Sequence, residues 1–309
     1  MNQILKFLAR GVSAVALLAF AAICVRAQEN ARGETKSPDR GAVLVELFTS
    51  EGCPHCPEAD ALLEKLYTEQ PIEGAEIIAL EEHVDYWDRQ EWVDHFSSPG
   101  FTQRQKDYAD AMDIDSLYTP QMVVDGLVEF VGNNAARARA TIAALGRVPL
   151  PGVRILPFAA ALDGKRPAGG ALVRLEARDL SHDSPSEVYL VLAEDKLFSR
   201  VSGGKNAGES WPHSSIAHWF RLAGKMPAGS KDFSLVAEIG APQPGWRVDN
   251  LRLIAFVQEE ETRRVLALGA VPLADVIPRA AGTSSPAAGR MAPVPAGAVP
   301  KMPAVTSNF

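Results

Sequence analysis

The pattern of apolar positions has one texture up to about residue 150 and another beyond it. Ala42–Thr49 (AVLVELFT) is a short, β-branched run that reads as a strand buried on both faces. Ala59, Leu62, Leu63, Leu66 and Tyr67 follow at i, i+3, i+4, i+7, i+8 spacing, which predicts an amphipathic helix. Ile77–Leu80 predicts a second strand, and Ser98 before Pro99 is placed to cap a helix through Phe101, Tyr108 and Met112. Gln121–Asp125 returns to strand, Val128–Val131 pairs with it across Asp125-Gly126, and Asn133 or Asn134 caps a helix over Ala135–Leu145. Strands alternating with helices imply an α/β layer.

After Pro149-Leu150-Pro151 helical periodicity is mostly lost. Val153–Leu156, Ala171–Ala177, Val188–Ala193, Phe233–Ile239, Leu251–Val257 and Val265–Val271 are strand-like runs, which predict a mainly antiparallel, sandwich-like β domain. The end of the chain carries six prolines among Ala, Gly and Ser, too little apolar bulk for a core. At the other end, Lys6 and Arg10 precede an apolar run, Gly11–Cys24, that closes near Val25-Arg26-Ala27, the pattern of a secretory signal peptide cleaved after Ala27. The expected organisation is a signal peptide (1–27), a flexible leader (28–40), an α/β domain (41–150), a β-rich domain (151–276) and a disordered Pro/Ala-rich tail (277–309). No later stretch approaches the roughly 18 apolar residues a membrane span requires, so a secreted or periplasmic protein without a span is expected once the signal is removed. Ile23 before Cys24 argues against a lipid anchor there, because a lipoprotein signal needs a small residue at that point.

Charge narrows the choice of partner. With 31 Lys and Arg against 38 Asp and Glu, the net charge is -7, and loss of Lys6, Arg10 and Arg26 with the signal takes it to -10. No broad cationic surface is left to neutralise a phosphate backbone, which excludes nucleic acid as a partner. Three cysteines are too few for a disulfide-stapled mini-domain or a four-cysteine zinc site. Cleavage removes Cys24 and leaves Cys53 and Cys56 in an oxidising compartment.

Cys53-Pro54-His55-Cys56 stands where the buried strand turns into the amphipathic helix. Unpaired N–H groups and the macrodipole at a helix N-terminus stabilise a thiolate on the first cysteine, so Cys53 is the expected nucleophile. Pro54 suits a first helical turn, and His55, if protonated, adds positive charge beside the sulfur; Glu51, Glu58 and Asp60 act in the opposite direction. Cys56, one turn inward, would resolve a mixed disulfide on Cys53. Two other chemistries fit these residues. One is a copper or zinc carrier using Cys53, Cys56 and His83, with His55 also available; the other is a non-catalytic binding protein whose Cys53–Cys56 disulfide is static.

Further residues join the candidate site. Thr119-Pro120 immediately precedes the strand Gln121–Val124, where a proline can only begin a strand. In the thioredoxin fold this position holds a cis-proline facing the cysteine pair, so a cis Thr119–Pro120 bond is expected, with Thr119 pairing to a bound chain. Tyr86 and Trp87 would line a peptide groove, while Asp85, Asp88 and His83 are candidates for proton transfer; a packed, hydrogen-bonded loop is the alternative. His213 and His218, near Ser214 and Ser215, come without a Gly-x-Ser-x-Gly elbow and read as surface or helix-capping residues. Gly203–Gly208 reads as a turn.

The runs Val45–Cys53 (VELFTSEGC), His83–Asp88 (HVDYWD) and Tyr118–Gly126 (YTPQMVVDG), with Gly204–Gly208 and Val257-Gln258 in the C-terminal half, resemble the bacterial secreted thioredoxin-like family catalogued as domain of unknown function 1223. The resemblance implies a thioredoxin-like N-terminal domain. It also departs from the family, which more often carries small residues between the cysteines; Pro54-His55 is similar to the pair of DsbA-type periplasmic oxidants. The expected function is thiol–disulfide oxidoreduction, on protein or small-molecule thiols and disulfides, without a diffusible cofactor and with a redox recycling partner.

Overall fold

In the computed structural model, which describes residues 40–89, 91–158 and 170–277, the first apolar run is strand β1 (Gly41–Thr49), buried along its whole length. Helix α1 (Cys56–Glu69) follows, and then β2 (Ala75–His83), which pairs with β1 in parallel and extends three residues past the predicted apolar stretch. Helix α2 (Pro99–Ala111) starts where the sequence predicts, with Ser98 Oγ accepting the Gly100 N–H. Strands β3 (Gln121–Val124) and β4 (Val128–Val131) form the expected hairpin across Asp125 and Gly126, both at positive φ. Helix α3 (Ala135–Leu145) is capped by Asn134, whose side chain accepts the Arg137 N–H. The expected signal peptide, leader and tail lie outside the described residues, apart from Arg40 and Ile277.

Beyond Pro149–Pro151 come β5 (Arg154–Phe158), β6 (Ala171–Ala177), β7 (Ser186–Glu194), β8 (Leu197–Arg200), β9 (Ser210–His213), β10 (Ile216–Met226), β11 (Phe233–Ile239), β12 (Leu251–Glu259) and β13 (Val265–Pro272). The architecture is mixed α/β and strand-rich. An eight-stranded sheet runs β13-β12-β7-β10-β2-β1-β3-β4, and β5, β6 and β11 form a smaller antiparallel sheet. Within the large sheet β1–β2 and the single β10–β2 pairing, Ile216 with Glu81, are parallel. Through that pairing the sheet runs on across the Pro149–Pro151 segment, and the described residues from Gly41 onward belong to one compact unit.

Strand alternation decides which polar groups meet which helix. Val43, Val45 and Leu47 of β1 and Ile77 and Ala79 of β2 pack on Leu63 and Leu66 of α1 and Ile142 of α3. The intervening Ala42, Leu44, Ile78 and Leu80 pack on Phe101 of α2, with Val191, Ile254 and Phe256 from the C-terminal strands. By the same period, Thr49, Glu81 and His83 face α1, whereas Glu46 and Glu82 face α2. On β7 and β12, Leu190, Leu192, Leu253 and Ala255 turn instead toward Val173, Leu175 and Ile239 of the smaller sheet.

Candidate functional site

The turn after β1 folds on itself: Cys53 N–H donates to the Ser50 carbonyl at 3.0 Å, and Cys56 N–H to the Cys53 carbonyl at 3.3 Å. Cys53 and Cys56 are joined as a disulfide, with Cα atoms 5.4 Å apart. Helix α1 begins at Cys56 with His55 as N-cap and no side-chain cap, so its leading N–H groups are not satisfied by a cap side chain. Pro54 therefore sits in the turn before the helix, not in its first turn; that place belongs to Pro57. Pro54 and His55 are exposed, but both cysteines are fully buried.

The C-terminal half holds this turn in place. Asn206 donates its side-chain amide to the carbonyls of Glu51, at 2.9 Å, and Cys53, at 2.8 Å. Its loop is tied by Gly208 N–H to Val201 carbonyl and Val201 N–H to Glu209 carbonyl contacts of 2.8 and 3.0 Å. Gly203 lies so close to the Glu91 carbonyl that a Cβ there would collide with it. The predicted turn at Gly203–Gly208 is thus tied through Asn206 to the main chain of the Cys53 turn.

The Thr119–Pro120 bond is cis and opens β3. A Cβ placed on Gly132 would lie 3.0 Å from Pro120 Cβ and 3.3 Å from Ala59 Cβ, so the proline packs beside the first turns of α1. Trp87 links the two loops: its indole N–H donates to Thr119 Oγ1 at 2.6 Å, and its Cβ lies 3.3 Å from where a Cβ on Gly52 would stand. Tyr86, half-buried, donates to Gln105 Oε1 at 3.2 Å. Asp85 accepts from Thr102 Oγ1 at 2.6 Å; Asp88 accepts from the Asp94 N–H at 3.1 Å and from Ser97 Oγ at 2.9 Å. Both aspartates thus hold the loop together, and burial pushes the Asp88 carboxyl up.

Beneath the disulfide lies a buried polar array that sequence reasoning largely missed. Asp60, one turn after Cys56 on the buried face of α1, accepts from Thr49 Oγ1 at 2.6 Å and from Trp211 Nε1 at 3.1 Å. Burial, reinforced by Glu81, raises its carboxyl to about 7. His83 Nδ1 lies 2.7 Å from Asp94 Oδ2, and His213 Nδ1 lies 2.9 Å from Glu81 Oε2. Burial disfavours the charged form of both histidines, yet Asp94 and Glu81 outweigh it and raise both. Burial likewise opposes ionisation of Glu81 and Asp94, but the imidazoles hold both below the usual carboxylate range. Glu51 accepts from Ser199 and, at 3.0 Å, from Trp92 Nε1; burial and then Asp94 push it up.

His213 and His218 are therefore interior residues rather than surface or capping ones. His213 is fully enclosed, and His218 lies 2.7 Å from Glu194 and stacks on Trp246. Buried carboxylates supply the partners that water supplies at a surface. The signal available in sequence was Asp60 within the apolar stripe of α1, and Glu81 and His83 two apart at the end of an apolar strand, which places them on one face.

Comparison with known proteins follows from this geometry. A family described as "Protein of unknown function (DUF1223)" matches residues 44–258. The chain is 32% identical over 90 residues to thioredoxin of Methanocaldococcus jannaschii, covering 29% of this chain and 79% of that protein. Among solved structures it is similar to protein AGR_C_4864 from Agrobacterium tumefaciens, with a TM-score of 0.54 and 21% identity over 74% of this chain and 92% of that one. HBP35 of Porphyromonas gingivalis superposes with a TM-score of 0.57 and 14% identity over 84% and 82% of the two chains. At these identities the two structures speak to the fold alone.

Proposed function

This chain belongs to that family of proteins of unknown function, DUF1223, and from there we propose that it is a secreted or periplasmic thiol–disulfide exchange protein with a thioredoxin-like N-terminal half. The observation that carries the reading is the Cys53–Cys56 disulfide at the β1–α1 junction, with Asp60 one helical turn below Cys56 and the Thr119–Pro120 loop alongside. The similarity to a thioredoxin supports it.

A substrate thiolate attacks Sγ of Cys53, the Cys53–Cys56 bond breaks, and Cys56 leaves as a thiolate. Asp60, raised to about 7, gives that thiolate its proton. A second substrate thiolate attacks the substrate sulfur of the mixed disulfide and releases Cys53, whose charge the uncapped N-terminus of α1 stabilises. The products are one substrate disulfide, the Cys56 thiol and the Cys53 thiolate, and a redox recycling partner restores the starting state. Thr119, Pro120, Tyr86 and Trp87 flank the bound thiol, and His55 stands at the exposed edge. Because both cysteines are buried, exchange also requires the Val201–Glu209 loop to lift.

A trapping experiment tests the assignment of roles. Cys56→Ser leaves Cys53 without a resolving partner and should accumulate a mixed disulfide with oxidised glutathione, visible as one added glutathione by mass spectrometry. Cys53→Ser should accumulate none. Equal labelling of both variants, or of neither, overturns the reading.

Burial of both cysteines favours a second reading, a binding protein in which the disulfide only staples the turn. A four-residue loop gives about 2 kcal/mol in the chain-entropy model. On that reading the doubly substituted Cys53→Ser, Cys56→Ser protein loses about this much stability, and neither single variant captures glutathione.

A further inference from the structure

We propose that Glu81, His83 and His213 form a buried binding site for one divalent first-row transition metal ion, distinct from the cysteine pair. Glu81 and His83 point to the same side of β2, and His213 reaches them from β9. All three are fully enclosed, and one donor atom from each lies within 4.8 Å of the others. Glu81 Oε2 stands 2.9 Å from His213 Nδ1 and 3.7 Å from His83 Nε2. Both of these separations lie within the roughly 4.4 Å that two donors sharing a metal at about 2.0–2.2 Å can span.

The hydrogen bonds around the site fix which nitrogen each ring offers. Asp94 occupies Nδ1 of His83 at 2.7 Å, and the carboxylate also accepts the Glu51 N–H at 2.8 Å. His83 Nδ1 therefore carries a proton, and Nε2 faces the site without a hydrogen-bond partner. A buried imidazole nitrogen left unpartnered is destabilising unless something occupies it. On His213 the arrangement is mirrored. The Ser199 hydroxyl gives its hydrogen to Glu51, so its oxygen accepts from His213 Nε2 at 2.9 Å and leaves Nδ1 for the site. Each ligand histidine thus donates its outer N–H to an oxygen, the arrangement that orients imidazoles around metals.

Two imidazoles and one carboxylate are borderline donors that suit zinc and leave a fourth tetrahedral position open. The ring of Phe96 packs against both histidines, at centroid distances of 5.4 and 5.7 Å, and walls the site with apolar surface. These donors differ from the thiol-and-imidazole set that the sequence suggests. Only His83 is common to both, and the sulfurs are bonded to each other.

The site is closed, so loading is tested during folding. The full-length secreted chain is unfolded in denaturant with EDTA, refolded with its disulfide intact in Zn2+ or Co2+, freed of loose metal by gel filtration and analysed by mass spectrometry. The expected result is on the order of one metal ion per chain, retained when Cys53 and Cys56 are both replaced by serine. Asp94→Asn should weaken retention about 10–100-fold through loss of the outer hydrogen bond. His83→Gln and His213→Gln should abolish it. The cobalt form of the unaltered protein should show visible d–d bands without thiolate-to-cobalt charge transfer, a reading that stands even if a variant fails to fold. Refolded protein with native circular dichroism and no bound metal overturns the proposal, as does metal that is lost with the cysteines or retained without the histidines.

Discussion

The side-chain amide of Asn206 donates to the main-chain carbonyl of Cys53 at 2.8 Å, joining residues 153 positions apart in sequence. On the proposed reading this contact couples access to the disulfide to the C-terminal half of the chain. Replacing Asn206 by Ala takes this donor from the buried Glu51 carbonyl, at a cost of about 1–3 kcal/mol, while the Cys53 carbonyl keeps the Cys56 N–H. The variant should unfold at lower urea concentration, and its disulfide should be reduced by dithiothreitol several-fold faster in native buffer, as followed by alkylation. Reduction at the rate of the unaltered protein would show that the loop does not govern access.

Asp60 links the site to pH. Its carboxyl titrates at about 7 in the fold against an ordinary 3.8, so between these values the native state holds a proton that the unfolded chain does not. Its contribution to stability is full below about pH 4 and is lost as pH rises through about 7. Asp60→Asn should flatten that decline, leaving the part due to the other carboxyls that burial raises, Asp125 to about 7 and Glu51, Glu82 and Asp88 upward. The comparison is of urea midpoints for the two proteins from pH 4 to 8. The same substitution should remove the inflection near pH 7 from the rate of thiol exchange; parallel curves in both assays would exclude Asp60 from the proton path.

On the opposite face of the sheet, Arg104 of α2 holds the two halves of the chain together. Its guanidinium contacts Glu46 at 2.5 Å and Gln258 of β12 at 3.1 Å, with Glu82 3.5 Å away and the Phe220 ring centroid 4.2 Å away. Arg104→Ala strands two buried carboxylates and should cost about 3–5 kcal/mol in urea unfolding. Lys225→Ala removes exposed pairs with Glu187 and Glu260 and should change stability by less than about 1 kcal/mol.

How far the sequence was legible depended on whether local pattern and global packing agreed. The β1–turn–α1 unit, the Ser98 and Asn134 caps and the Asp125-Gly126 hairpin follow from residues that decide their own backbone, and they stand where predicted. Strand β10 was missed: register shifts between Ala217 and Trp219 and between Leu222 and Gly224 break its alternation, and no period of two survives. β9 is four residues long and contains Pro212, which reads as a breaker. The polar array under α1 was missed for a related reason. His213 reads as a surface or capping residue and Glu81 and Asp94 carry no signal of their own, and the long-range pairing of β2, β8, β9 and α1 makes them mutual partners.

The central claim, that Cys53 and Cys56 cycle between bonded and open forms, is tested most directly by equilibrating the native protein with graded ratios of reduced to oxidised glutathione and alkylating its free thiols. The account predicts that two thiols appear together in one two-electron transition within the range of the buffer, with Asn206→Ala reaching equilibrium sooner. A disulfide that stays closed at every ratio in both proteins, and opens only in denaturant, would contradict it.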